Sequence, residues 1–128
     1  MARENIVAKA IVDVAFRIHS ELGPGLLESV YETVMEHELA RYGFNVRRQK
    51  AVPVVWNGTK LDDGFRVDHF VEELVVVEIK SVEELADVHF KQVLTYLRLS
   101  DRRLGILINF NVALIKDGIK RIANRMPD

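Results

Sequence analysis

The sequence predicts an α/β fold in which helices flank a mixed β-sheet. Three observations predict it. Helical periodicity fills the first third of the chain. Short β-branched runs bounded by turn signals follow. A helical stretch then separates two apolar strands, the arrangement of a parallel crossover. The chain has 128 residues, 48% hydrophobic and 29% charged. That suffices for one domain, residues 1–128, with a core that needs no staples.

Ile6, Val7, Ala10, Ile11, Val14, Ala15 and Ile18 recur at helical spacing, so a helix is expected from about residue 4 to Leu22. Gly23-Pro24-Gly25 stops it. A second helix is expected from near Pro24 or Leu26, with Leu27, Val30, Tyr31, Val34 and Leu39 as its buried stripe and Gly43 as its C-cap. Ala51 to Trp56 reads as a strand, Asn57-Gly58 as a turn, and Phe65–Val71 and Leu74–Lys80 as a hairpin pair. Ser81 is a good N-cap for a helix running to about Leu99, with Leu85, Val88, Val93 and Leu97 inward. Leu104 to Phe110 is almost wholly apolar, as a central strand covered on both faces should be, and the preceding helix makes it parallel to its partner. Val112–Ile115, Asp117-Gly118 and Ile119–Ala123 read as a closing hairpin.

Several function classes are excluded or disfavoured. Cysteine is absent, so no disulfide or thiolate metal site can form. There is no Gly-rich phosphate loop, no His-x-x-x-His zinc helix and no nucleophile elbow. Neither a signal-peptide pattern nor a membrane-spanning apolar run is present, so a soluble, cytoplasmic protein without a membrane partner is expected. The net charge of −1 gives no bulk argument for nucleic-acid binding. The local basic runs at Arg47-Arg48-Gln49-Lys50, Arg102-Arg103 and Lys116 through Arg125 are as readily solvated surface.

One constellation could carry chemistry. Asp68 and Glu78-Ile79-Lys80 stand on consecutive strands, and alternation puts Glu78 and Lys80 on one face. A three-residue loop or a bulge after Val71 sets Asp68 opposite Glu78. A strict two-residue turn at Glu72-Glu73 sets it opposite Val77 and spoils the pair. Two carboxylates on one face suit a hard cation such as Mg²⁺, with the Ile79 carbonyl as a further oxygen and Lys80 beside a bound water. The plain alternative is a solvated cross-strand ion pair. Glu28 opens the second helix, where it is an extra ligand or simply complements the helix dipole. Tyr31, three residues on, is more at home in a core. His89, Gln92 and Tyr96 share a helix face that could border a cleft, while His89 and His19 are also ordinary structural histidines.

The run Gly25-Leu26-Leu27-Glu28-Ser29-Val30-Tyr31 matches the motif that names the GxxExxY protein family, which is similar to the PD-(D/E)XK nuclease superfamily. The resemblance extends over His19 through Tyr31, Gln49, Phe65-Arg66-Val67-Asp68, Val77-Glu78-Ile79-Lys80, Gln92 with Tyr96, and Leu107-Ile108-Asn109-Phe110. It implies a restriction-endonuclease-like mixed sheet. Glu28 resembles the first-helix acid, and Asp68 the strand aspartate that ligates metal, although Val67 stands where many relatives have proline. Glu78 and Lys80 resemble the acid and lysine of the signature, and Gln92 and Tyr96 the Gln-x-x-x-Tyr element. The implied activity is Mg²⁺- or Mn²⁺-dependent hydrolysis of DNA phosphodiester bonds. Asp68, Glu78, Glu28 and the Ile79 carbonyl would serve as metal ligands, Lys80 would orient water, and Arg66, Gln92 and Tyr96 would contact substrate. A homodimer or a protein partner would add grip that so small a domain lacks. The alternative is a non-catalytic nucleic-acid- or protein-binding module that kept the fold.

Overall fold

The structure, a computed structural model, describes residues 2–127 and, within them, every side chain but that of Asp63. The elements run α1 (Arg3–Leu22), α2 (Glu28–Arg41), β1 (Val46–Trp56), β2 (Thr59–Val71), β3 (Val75–Lys80), α3 (Asp87–Ser100), β4 (Leu104–Asn109), a short 3₁₀ turn (Ile115–Asp117) and β5 (Ile119–Ala123). Among the described residues the sheet has five strands in sequential order. Only β3 and β4 are parallel, joined by α3; every other pair is antiparallel. This is an α/β fold of the restriction-endonuclease-like kind expected.

Two apolar layers hold it. On one face of the sheet, Val75, Val77 and Ile79 of β3 with Leu104, Ile106 and Ile108 of β4 pack under α1 and α2. On the other, Val76 and Leu107 meet Val93 and Leu97 of α3. All of β4 is buried, as an apolar strand covered on both faces must be. The β1–β2 hairpin turns at Asn57-Gly58, with φ of 49° and 77°. Two consecutive left-handed residues make the turn whose twist suits a two-residue hairpin, which is why Asn-Gly signals it. The α2 helix ends in a Schellman motif, with Phe44 N–H on Leu39 O and Gly43 N–H on Ala40 O.

Four expectations are corrected. First, α2 begins at Glu28, not at Pro24 or Leu26, and Leu27 and Val30 are exposed while Met35 and Glu32 are buried with Tyr31 and Leu39. The intervening loop is fixed instead by the Tyr31 hydroxyl, which accepts from Leu26 N–H (3.2 Å) and donates to Gly23 O (2.7 Å). Second, α3 begins at Asp87, because Ser81 is used elsewhere: its hydroxyl donates to Leu26 O. Ala86 caps α3 with its backbone N–H on His89 Nδ1, and Val88 faces outward. Third, β1 reaches back to Val46 and β2 back to Thr59, so Arg47 to Lys50 are strand residues. Fourth, Val112–Ile115 is no strand; β5 pairs with β4 instead. A side chain at Gly118 would fall on the Asn109 carbonyl oxygen, so the return to β5 needs glycine there.

Tyr31 is fully buried and its ring stacks on Phe110 at 4.3 Å. Tyr31→Phe keeps that stack and strands two backbone groups of the 23–26 loop. A loss of about 1–3 kcal/mol in urea-monitored stability is expected, and a neutral result would show that the loop is held by something else.

Candidate functional site

The β2–β3 hairpin has a three-residue loop, Glu72-Glu73-Leu74. Glu72 and Glu73 both adopt left-handed φ of 54°, and Leu74 N–H closes on Val71 O at 3.0 Å. The strands therefore pair Val71↔Val75, Phe70↔Val76 and His69↔Val77. That is the register that brings Asp68 opposite Glu78. The ladder stops there, and side chains take over. Asp68 N–H donates to Glu78 Oε1 (3.0 Å), and Ile79 N–H donates to Asp68 Oδ2 (2.8 Å). Each carboxylate thus supplies the acceptor that a strand carbonyl would otherwise provide.

Glu78 is 4% exposed and Lys80 is half-buried on the same strand face. Lys80 makes no ion pair among the described residues, which leaves its ammonium available. Burial pushes Glu78 up to about 8, and the charge of Asp68 pushes the same way. Burial also raises Asp68, opposed by its bond from Ile79 N–H and by the charge of Lys80. Tyr96 of α3 lies near enough that, after burial, both carboxylates raise its phenol. Its ring stacks on Phe65 at 4.3 Å, forming a wall beside the pair.

The other named residues are placed less uniformly. Glu28 stands at the β3 end, where its Oε2 accepts from Ser81 N–H at 3.4 Å. Among the described residues no three His, Asp or Glu side chains converge into a metal-holding group, so Glu28 does not close on the pair. The Arg66 guanidinium lies on the Gln49 carbonyl at 3.1 Å and pairs with neither carboxylate. Gln92 is exposed on α3. His19 bonds the Val112 carbonyl, and His89 is spent on the α3 cap. Part of the Arg47–Lys50 run is also committed: Arg47 pairs with Glu73, and Arg48 with Glu32 and Glu36.

A family model described as the PD-(D/E)XK nuclease superfamily matches residues 5–122. The chain belongs to that superfamily. No curated protein and no solved structure matches it. PD-(D/E)XK nucleases are typically dependent on a divalent metal and act on nucleic acid. The residues here fit such an ion in kind: a buried carboxylate, Glu78, stands beside the half-buried Asp68, neither has an ion pair among the described residues, and a hard cation takes oxygen ligands of this sort. No helix is long and apolar enough to cross a membrane.

Three polar residues beside the pair carried no role in the sequence reading. Gln49 Nε2 donates to both Glu32 Oε1 (2.7 Å) and Asp68 Oδ1 (3.2 Å). His69, fully buried, meets the Glu32 carbonyl through Nε2 at 2.9 Å. A carbonyl only accepts, so the ring proton sits on Nε2. The sequence signals for Gln49 were its place among the positions of the family resemblance and a neutral amide inside a run of cations.

The displaced ionisation of Glu78 makes stability depend on pH. An acid held above its ordinary value keeps its proton in the folded chain after the unfolded chain has lost it. Stability is then full below the unfolded value and falls as pH rises through the folded one. The metal-free protein should lose thermal stability between pH 4.5 and about 8, and Glu78→Gln should flatten that decline. A melting series in chelator across this range reads both; equal slopes for the two proteins would contradict it.

Proposed function

We propose that residues 1–128 form one nuclease-like domain that hydrolyses DNA phosphodiester bonds with Mg²⁺ or Mn²⁺. The observation that carries this reading is the exchange of carboxylates for backbone acceptors where β2 and β3 part, with Lys80 two residues beyond Glu78 on the same strand face. The GxxExxY resemblance around Glu28 is part of the same proposal.

Asp68 and Glu78 would hold the ion, with the Ile79 carbonyl as a third oxygen and Glu28 assisting from the end of β3. When bound, the ion supplies Lewis-acid polarisation of a phosphoryl oxygen and a more acidic water. The chain's own residues do the rest. Lys80 orients the attacking water through its ammonium and stabilises charge on the phosphoryl group. Tyr96 and Gln92 border the approach from α3 and can donate to phosphate oxygens. Arg66 can leave the Gln49 carbonyl for a phosphate, a stronger acceptor for a guanidinium. The backbone bonds to Asp68 and Glu78 fix both carboxylates before substrate arrives, so little reorganisation is left for the reaction. A second copy or a partner protein would supply the phosphate contacts that a chain of net charge −1 lacks.

A second reading, a non-catalytic nucleic-acid- or protein-binding module, draws support from Glu28, whose carboxylate is engaged with Ser81 rather than with the pair. Metal titration separates the two. Asp68→Asn should abolish Mn²⁺ binding seen by calorimetry, whereas absence of binding by the unaltered protein favours the module.

With plasmid, single-stranded DNA and RNA offered in turn, Lys80→Ala should lower cleavage about 100–1,000-fold and leave the melting temperature unchanged. Cleavage at the unaltered rate by this variant would remove Lys80 from the reaction.

A further inference from the structure

We propose that Gln49 is a positioning residue for the carboxylate pair, clamping Asp68 to helix α2 through Glu32. The role deepens the reading of Asp68 as a metal ligand and rests on it; the clamp itself is a property of the metal-free chain.

The backbone marks the position first. The β1–β2 ladder runs Arg48↔His69 and resumes at Lys50↔Val67. Gln49 lies between, opposite Asp68, and is skipped. Its φ is 51°, a left-handed conformation that a side-chain-bearing residue adopts only under constraint. Such conformations persist where the surroundings over-determine them, and they gather at working sites.

The side chain shows what the distortion achieves. An amide nitrogen carries two hydrogens, and Nε2 of Gln49 serves Glu32 Oε1 at 2.7 Å and Asp68 Oδ1 at 3.2 Å. Glu32 cannot drift, because it is 8% exposed and lies 3.7 Å from the Arg48 guanidinium. The far oxygen of Asp68 is held by Ile79 N–H at 2.8 Å. Both oxygens of Asp68 therefore have directional donors, one from β3 and one from β1, and its carboxylate plane is fixed. Removal of the amide leaves the carboxylate held at one oxygen and free to turn. Partners of this kind orient metal ligands, and their loss commonly weakens metal binding about 10–100-fold.

A purely structural Gln49, present only to satisfy Glu32, would leave Asp68 indifferent to its removal. The test compares the unaltered protein with Gln49→Ala and with Gln49→Met, which keeps the chain length without the donor. In chelator, the Asp68 side-chain carboxyl carbon is followed by NMR through a pH titration. Loss of a donor to the charged form should move its midpoint upward in both variants. A midpoint equal to that of the unaltered protein overturns the clamp; if Gln49→Ala fails to fold, Gln49→Met decides. Calorimetry with Mn²⁺ then reads the consequence, with binding expected to weaken about 10–100-fold. If the variants bind Mn²⁺ as tightly as the unaltered protein, the positioning role is overturned. If the unaltered protein binds no Mn²⁺, the metal-ligand reading fails, and the carboxyl titration alone judges the clamp.

Discussion

Where β2 and β3 part, two backbone N–H groups lose their strand partners, and two carboxylates replace them. An unsatisfied N–H in a buried sheet costs about as much as a lost hydrogen bond, so Asp68 and Glu78 are tied to the fold as well as to any chemistry. The arrangement also brings two like charges together, with Glu78 buried and Asp68 half-buried. In the metal-free chain that conflict is resolved by protonation, since burial and the neighbouring charge hold Glu78 near 8. The backbone bonds themselves favour the charged forms, and at Glu78 burial and the charge of Asp68 outweigh them.

The rest of the molecule keeps this junction in place. β3 is walled by apolar layers on both faces, so it cannot slide without exposing one of them. β4 lies parallel beside it in unbroken register from Val75↔Leu104 to Lys80↔Asn109. Asn109, buried at the end of that ladder, accepts from Val82 N–H and donates to Val82 O, which fixes the chain as it leaves Lys80. Glu78 and Lys80 therefore stand on a strand paired on both sides, and the long β1–β2 hairpin contributes Asp68 and Gln49 from the side.

Much of this could be read from residues, and the failures have physical causes. α1, the Asn57-Gly58 turn and the β3–β4 parallel pair followed from periodicity or turn chemistry, and the β2–β3 hairpin was legible with two registers open. The register itself did not follow, because nothing in Glu72-Glu73 announces two left-handed glutamates. Leu26 and Leu27 mimic a helix stripe, yet they lie in a loop shaped by the Tyr31 hydroxyl, a contact between residues that local pattern does not rank. Ser81 has the chemistry of an N-cap and spends it on Leu26 O. Arg47 to Lys50 hid the start of β1, because a run of cations in an edge strand looks like a loop until its partners are known. At the site, Asp68, Glu78 and Lys80 were legible as a spaced triplet. Gln49 and Glu32 were not, since their roles arise only when β1, β2 and α2 meet.

Helix α2 gives those meetings a common origin. Glu28 and Glu32 are four residues apart and so share one face of it. Glu28 reaches the end of β3 through Ser81 N–H, and Glu32 reaches β2 through the Gln49 amide. His69 adds a third tie, from β2 to the Glu32 carbonyl. One helix is thus fastened separately to each of the two strands that carry the carboxylates. A shift of α2 along its axis would have to disturb both fastenings. Glu28 thus ties the helix to the end of β3, while Glu32 reaches Asp68 through the Gln49 amide. The motif around Glu28 and Tyr31 then reads as a mounting for the pair, with Tyr31 locking the loop that delivers Glu28 to β3.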